Sequence, residues 1–143
     1  MMEDSVYIFE ARLLDHDGVG CTVAVRASQT LEHLHRVLRR AFNWYDDHLY
    51  SFWLSGVHWD GPETEFTAPH ELAESDARSA AARLRDLDLQ PGRSIAYVFD
   101  FGDEWRVLLE LREHTPPDPG ARYPKVLERS GEPPPQYTYD EED

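Results

Sequence analysis

The sequence holds one cysteine, Cys21, and one lysine, Lys125. A lone thiol rules out an internal disulfide and a thiolate-rich zinc site, and it suits a reducing compartment. Positive charge is scarce: 28 acidic residues stand against 14 basic ones, a formal charge of −14. Such a chain gains nothing from the sequence-independent phosphate attraction behind non-specific nucleic-acid binding. The one short basic run, "RVLRR" at residues 36–40, reads as a solvated helix face, so direct nucleic-acid binding is not expected. No apolar run approaches membrane-spanning length. The stretch "MMEDSVYIFEARL" lacks the basic start and long apolar segment of a signal peptide. The expectation is a soluble, cytoplasmic protein without a membrane contact. A glycine-rich phosphate loop and a nucleophile elbow are also missing, and no cofactor is expected.

What is present is a clear change of hydrophobic period along the chain. "VYIFEARLL" (residues 6–14) alternates, with Tyr7, Phe9, Ala11 and Leu13 on one side, and "CTVAV" (21–25) reads as the returning strand. In "SQTLEHLHRVLRRAF" the residues Leu31, Leu34, Val37, Leu38, Ala41 and Phe42 recur at helical spacing. Ser28 or Thr30 can cap that helix, which should stop near Asn43. "HLYSFWL" (48–54) alternates again, and "HWDGPETEF" reads as a turn or short strand. The alanine-rich "SDARSAAARLRDLDL" predicts a weak second helix from about Ser75, anchored by Leu84 and Leu87. "SIAYVFDF" and "WRVLLEL" supply two more strands. The predicted fold is α+β, an antiparallel sheet with helices packed on one face, in the order β-β-α-β-(α)-β-β. Residues 1–115 form the expected domain core. Residues 116–143, with seven of the ten prolines and a terminal Asp140, Glu141, Glu142, Asp143, form an acidic extension partly packed on it.

The stretch "YVFDFGDEWRV" (97–107) contains the Asp-Phe-Gly triplet that holds magnesium in kinases. A kinase also needs a phosphate loop, a strand lysine and a catalytic-loop aspartate, and none is present here. The triplet reads instead as a hairpin. A three-residue loop, Gly102-Asp103-Glu104, sets Phe101 opposite Trp105, Phe99 opposite Val107 and Tyr97 opposite Leu109, which gives one wholly apolar face. It also sets Asp100 opposite Arg106 as a cross-strand ion pair, with Asp103 capping the turn. One tension is that Glu104 then occupies a left-handed position that usually takes glycine.

Three stretches in this order, "TLEHLHRVLRRAFNWYDDHLYSFWLSG", "YVFDFGDEWRVLLEL" and "RYPKVLERSGEPPPQY", resemble the plasmid open-reading-frame-three-like family, also known as transposon-passenger proteins. The spacing Trp-x3-His-Leu-x2-Phe together with Asp-Phe-Gly-Asp-x-Trp carries the resemblance, which spans about residues 5 to 137. It implies an α+β fold with an antiparallel sheet, genes associated with plasmids and mobile elements, and no settled biochemical activity. Many members end in a cysteine-bearing segment; here that segment is "GEPPPQYTYDEED", so any metal role of those cysteines does not carry over.

The positions matching the family are His35, Trp44, His48, Asp100, Gly102, Asp103, Trp105, Tyr123 and Pro124. His35, beside Leu34 and Leu38, reads first as a buried, hydrogen-bonded spacer, and Trp44 and Trp105 read as core. His33 and His35 lie two apart on a helix and so do not chelate together. The catalytic candidates are His48, Asp100 and Asp103, which as a converging cluster could bind a divalent metal or move a proton. Two functions compete. The first is a non-catalytic, mobile-element-associated interaction module with a basic protein partner, matched by charge. The second is a metal-dependent hydrolase or nuclease built on the three candidates. A DNA-binding accessory role through "RVLRR" is third.

Overall fold

Tyr7, Phe9, Ala11 and Leu13 leave β1 (Val6–Leu13) on the same side, and all four are buried. The structure, a computed structural model, describes residues 4–70 and 77–137. Strand β2 (Gly20–Arg26) returns antiparallel, with Phe9 opposite Val23 and Tyr7 opposite Val25, so the two alternating patterns share one core face. Helix α1 (Leu31–Phe42) lays Leu31, Leu34, His35, Val37, Leu38, Ala41 and Phe42 against that face. Thr30, not Ser28, caps it: the Thr30 hydroxyl accepts the His33 N–H at 3.2 Å, and the Thr30 N–H donates to His33 Nδ1 at 3.1 Å. Ser28 is engaged elsewhere, its hydroxyl donating to Asp4 at 2.6 Å. Asn43 ends the helix in the left-handed conformation, φ 61.

Strands β3 (Tyr50–Trp53), β4 (Glu65–Thr67), β5 (Arg78–Ser79), β6 (Ser94–Phe99), β7 (Trp105–Thr115) and β8 (Lys125–Ser130) complete one eight-stranded sheet. Its order is β5-β4-β3-β6-β7-β1-β2-β8, antiparallel throughout except for the parallel β4–β5 pair. Helix α1 lies over β2 and β8. On the opposite face a smaller cluster forms where Trp53, Ala96 and Val98 meet Phe101, with Trp59 packed on Trp53 and Phe101.

This architecture corrects the expected fold. Among the described residues it is a mixed sheet with a single α-helix, not an antiparallel sheet with helices on one face. The expected second helix does not form among the described residues: Ser75 and Asp76 lie outside them, Arg78–Ser79 is a strand, and Leu84–Asp86 forms a 3-10 turn. Helix propensity loses because the backbone of this segment is used elsewhere. Ala80 N–H donates to Thr67 O, and the carbonyls of Ala80 and Ala82 accept the N–H groups of Glu32 and Leu31 at 2.9 and 3.2 Å. The alanine-rich stretch thereby satisfies the first-turn donors that α1 would otherwise leave unpaired. Leu84 and Leu87 do anchor it, Leu84 fully buried and Leu87 packed at the core edge.

The hairpin is corrected as well. Phe99 opposes Trp105, Tyr97 opposes Val107 and Ile95 opposes Leu109, a register two residues away from the expected one, with a loop running from Asp100 to Glu104. A shift of two keeps the paired strand residues on their faces, so the apolar face survives, whereas Phe101 leaves the strand for the loop and packs on the opposite face with Trp53, Ala96 and Val98. The expected Asp100–Arg106 pair does not. Val98 opposes Arg106, and the guanidinium donates to Asp15 at 2.7 Å. Asp100 rather than Asp103 caps the turn: its Oδ1 accepts the N–H groups of Gly102 and Asp103 at 3.1 and 3.3 Å.

Candidate functional site

The loop between α1 and β3 carries most of the polar residues of interest. Trp44 sinks into the core, stacked on Phe99 at 4.8 Å and on Phe42 at 4.9 Å, with Trp105 tilted against it at 5.9 Å. This anchor brings Asp47 and His48 over the ends of β3 and β6. Asp47 Oδ1 lies 2.9 Å from His35 Nε2, while His35 Nδ1 lies 2.7 Å from the hydroxyl of Tyr97. A carboxylate only accepts, so the imidazole proton sits on Nε2 and leaves Nδ1 to accept the Tyr97 O–H. The His35 ring stacks on Tyr50 with centroids 3.6 Å apart and planes 10° from parallel.

Electrostatics agree with this assignment. Burial lowers the His35 pKa, against the opposing pull of Asp47, so the imidazole stays neutral. The hydrogen bond from His35 holds the Asp47 carboxyl down at about 2. Burial pushes the Tyr97 hydroxyl well above its usual range. A carboxylate orienting a histidine is the arrangement that activates nucleophiles in hydrolases. Here the third member, Tyr97, is 0% exposed, and no substrate atom can reach it. The line Asp47–His35–Tyr97 ties α1 and its following loop to β6.

His48 lies beside this tie and is half-exposed. Its Nε2 is 2.6 Å from the hydroxyl of Tyr137 and 3.7 Å from Asp100 Oδ2, and its ring meets Phe99 edge-on at 5.7 Å. Of the three catalytic candidates, His48 and Asp100 are therefore neighbours. Asp103 is exposed on the hairpin loop, with its N–H on Asp100. Among the described residues, no group of three or more His, Cys, Asp or Glu side chains could hold a metal ion. Gly102 is exposed in the same turn. Tyr123 and Pro124 serve a different region. The Tyr123 carbonyl accepts from Gln29 at 2.8 Å, its ring lies 5.0 Å under the Arg26 guanidinium, and a cis peptide links it to Pro124 ahead of β8. Of the basic run, Arg36 pairs with Glu32 at 3.6 Å and Arg39 lies 3.7 Å from Asp47, leaving Arg40 exposed.

The sequence profile of the plasmid pRiA4b ORF-3-like proteins matches residues 14–138. The chain belongs to this plasmid pRiA4b ORF-3-like family. A relative, the uncharacterised protein y4hQ of Sinorhizobium fredii, is 32% identical over 114 residues, which are 80% of this chain and 56% of that protein. The chain thus spans little more than half the length of this relative. A crystal structure of a protein of unknown function from Methanosarcina mazei Go1 shares the fold, with a TM-score of 0.72 and 22% identity over 90% of this chain and 70% of that one. Family and relatives alike are uncharacterised, and none indicates a catalytic function. All nine of the singled-out positions fall inside the family match.

Sequence reasoning missed four residues that organise this region: Asp47, Tyr97, Gln136 and Tyr137. Tyr97 looked like any inward strand aromatic, since alternation reports burial and not a hydrogen bond across 62 residues. Gln136 and Tyr137 sat in a segment read as extension. Gln136 is in fact buried against the backbone of Asp46. No helix of the described residues is long and apolar enough to cross a membrane.

Proposed function

We propose that this chain is a non-catalytic interaction module of plasmid and transposon biology, and that its partner is a basic protein such as a transposase or another DNA-binding factor. One observation carries the reading. The ionisable groups best placed for chemistry are engaged with neighbours: His35 is enclosed between Asp47 and Tyr97, Asp100 caps its own turn, and His48 is hydrogen-bonded to Tyr137. Among the described residues the remaining carboxylates are mostly at the surface, and the net charge of −14 favours and steers association with a basic surface.

The test is affinity purification of the full chain from a host carrying its gene, with retained proteins identified at low and high salt. A basic partner held at low salt and released at high salt is the expected outcome, because exposed charge pairs are screened. Retention of no partner, or only of partners indifferent to salt, overturns the reading.

A further inference from the structure

Tyr45 is 80% exposed, yet its backbone is held on both sides. Arg39 Nε donates to the Trp44 carbonyl at 3.2 Å, and Arg39 Nη2 donates to the Tyr45 carbonyl at 2.5 Å. On the other side Gln136 binds both the N–H and the carbonyl of Asp46. Trp44 is buried beneath. The tyrosine ring is therefore presented to solvent by a loop that cannot turn it inward.

Pro133, Pro134 and Pro135 run alongside, and Tyr137 closes the end through its hydrogen bond to His48. These side chains bound an open groove of about 680 Å³. A fixed tyrosine and three prolines lose little conformational freedom when covered, which makes such a surface economical for binding. Aromatic residues lining a groove are also the usual receptors of extended, proline-containing segments. The charged residues lining this groove, Asp46 and Glu132, are both carboxylates. The nearby arginine, Arg39, is committed to two carbonyls and to Asp47.

We propose that this groove binds an extended segment of a partner protein in which arginine or lysine alternates with proline. A guanidinium can stack on Tyr45 while pairing with Asp46 or Glu132, and the extended backbone lies along the prolines. The proposal rests on the reading of the chain as an interaction module with a basic partner, and it adds where and in what conformation that partner is held.

A fluorescein-labelled decapeptide of alternating arginine and proline, titrated into the full chain and read by anisotropy, tests it. Binding is expected to weaken with salt and to fall by about tenfold in Tyr45→Ala, as for loss of an anchoring aromatic. It should fall also in Glu132→Arg, and the counterpart peptide with glutamate in place of arginine should not bind. Amide shifts in NMR spectra should concentrate at Tyr45, Asp46, Glu132, Gln136 and Tyr137. Because the Tyr45 side chain is exposed, Tyr45→Ala should keep the native unfolding midpoint, so lost binding is not lost folding. Unchanged affinity in both variants, shifts elsewhere, equal binding of the glutamate peptide, or self-association through Tyr45 seen by sedimentation would each overturn the groove assignment. If Tyr45→Ala still retains the basic partner in affinity purification, the groove is wrong and the interaction reading stands. If the unaltered chain retains no basic partner, the reading itself falls, whatever the peptide does.

Discussion

Gln136 grips the backbone of Asp46 from both sides: its side-chain nitrogen donates to the Asp46 carbonyl at 2.8 Å, and its side-chain oxygen accepts the Asp46 N–H at 3.1 Å. Ninety residues separate the two, so this one amide fastens the proline segment to the loop that carries Tyr45, Asp47 and His48. Truncation by Gln136→Ala removes two neutral hydrogen bonds and should lower stability by about 1–2 kcal/mol in urea titration. It should also speed proteolytic cleavage within residues 132–137 while leaving the rest of the chain intact. A midpoint equal to the unaltered chain's would mean that the segment is held by other contacts.

Acid should weaken the fold in two stages. Burial lowers the pKa of His35, and it also lowers His33 and His58 from the ordinary value of 6.5. Between their folded and unfolded values the unfolded chain binds more protons, so stability is complete above about pH 6.5 and declines as pH falls below it. Asp47, held at about 2 against an ordinary 3.8, adds a second decline below pH 3.8. Thermal midpoints from pH 7 to 5 should fall less steeply in His35→Gln, from a lower starting point. An unaltered slope would assign the first decline to His33 and His58.

Cys21 lies on β2 opposite Arg129 of β8 and is buried in the core, and burial pushes its thiol up to about 12 against the pull of Arg129. The thiolate is the reactive form. The native chain should therefore resist iodoacetamide at pH 8, and urea-unfolded chain should be alkylated readily, as mass spectrometry would show. Prompt labelling of the native chain would require that the core around β2 opens.

Glu104 closes the hairpin loop with a positive φ of 54, where a side chain is strained. Its N–H donates to the Asp100 carbonyl, which keeps it there. Glu104→Gly should raise stability by about 1 kcal/mol by relieving that strain. A loss of stability would show that the Glu104 side chain makes a contact worth more than the strain.

The faces of the strands were legible because a period of two reports burial directly: Tyr7, Phe9, Tyr97, Phe99 and Val107 all point where alternation puts them. The same rule explains the hairpin error. A register off by two leaves each paired strand residue on its face, so the pattern could not distinguish a loop ending at Glu104 and starting at Gly102 from one starting at Asp100, in which Phe101 turns to the other face. Of the candidate site, the sequence named His48, Asp100 and Asp103 but could place none of them relative to the others, because a turn residue has no periodic neighbour to aim it and the expected Asp100–Arg106 pair pointed elsewhere.

By itself, then, the sequence determined the core faces of the main strands and of α1, where α1 ends, and which family the chain belongs to, since these depend on local period, capping and motif spacing. Only the tertiary structure decided the rest. It turned the alanine-rich segment into a backing for the first turn of α1, because unpaired backbone donors there outweigh a modest helix propensity. It also joined Asp47, His35 and Tyr97, and brought Gln136 to Asp46, through hydrogen bonds between residues far apart in the chain, which no local pattern encodes.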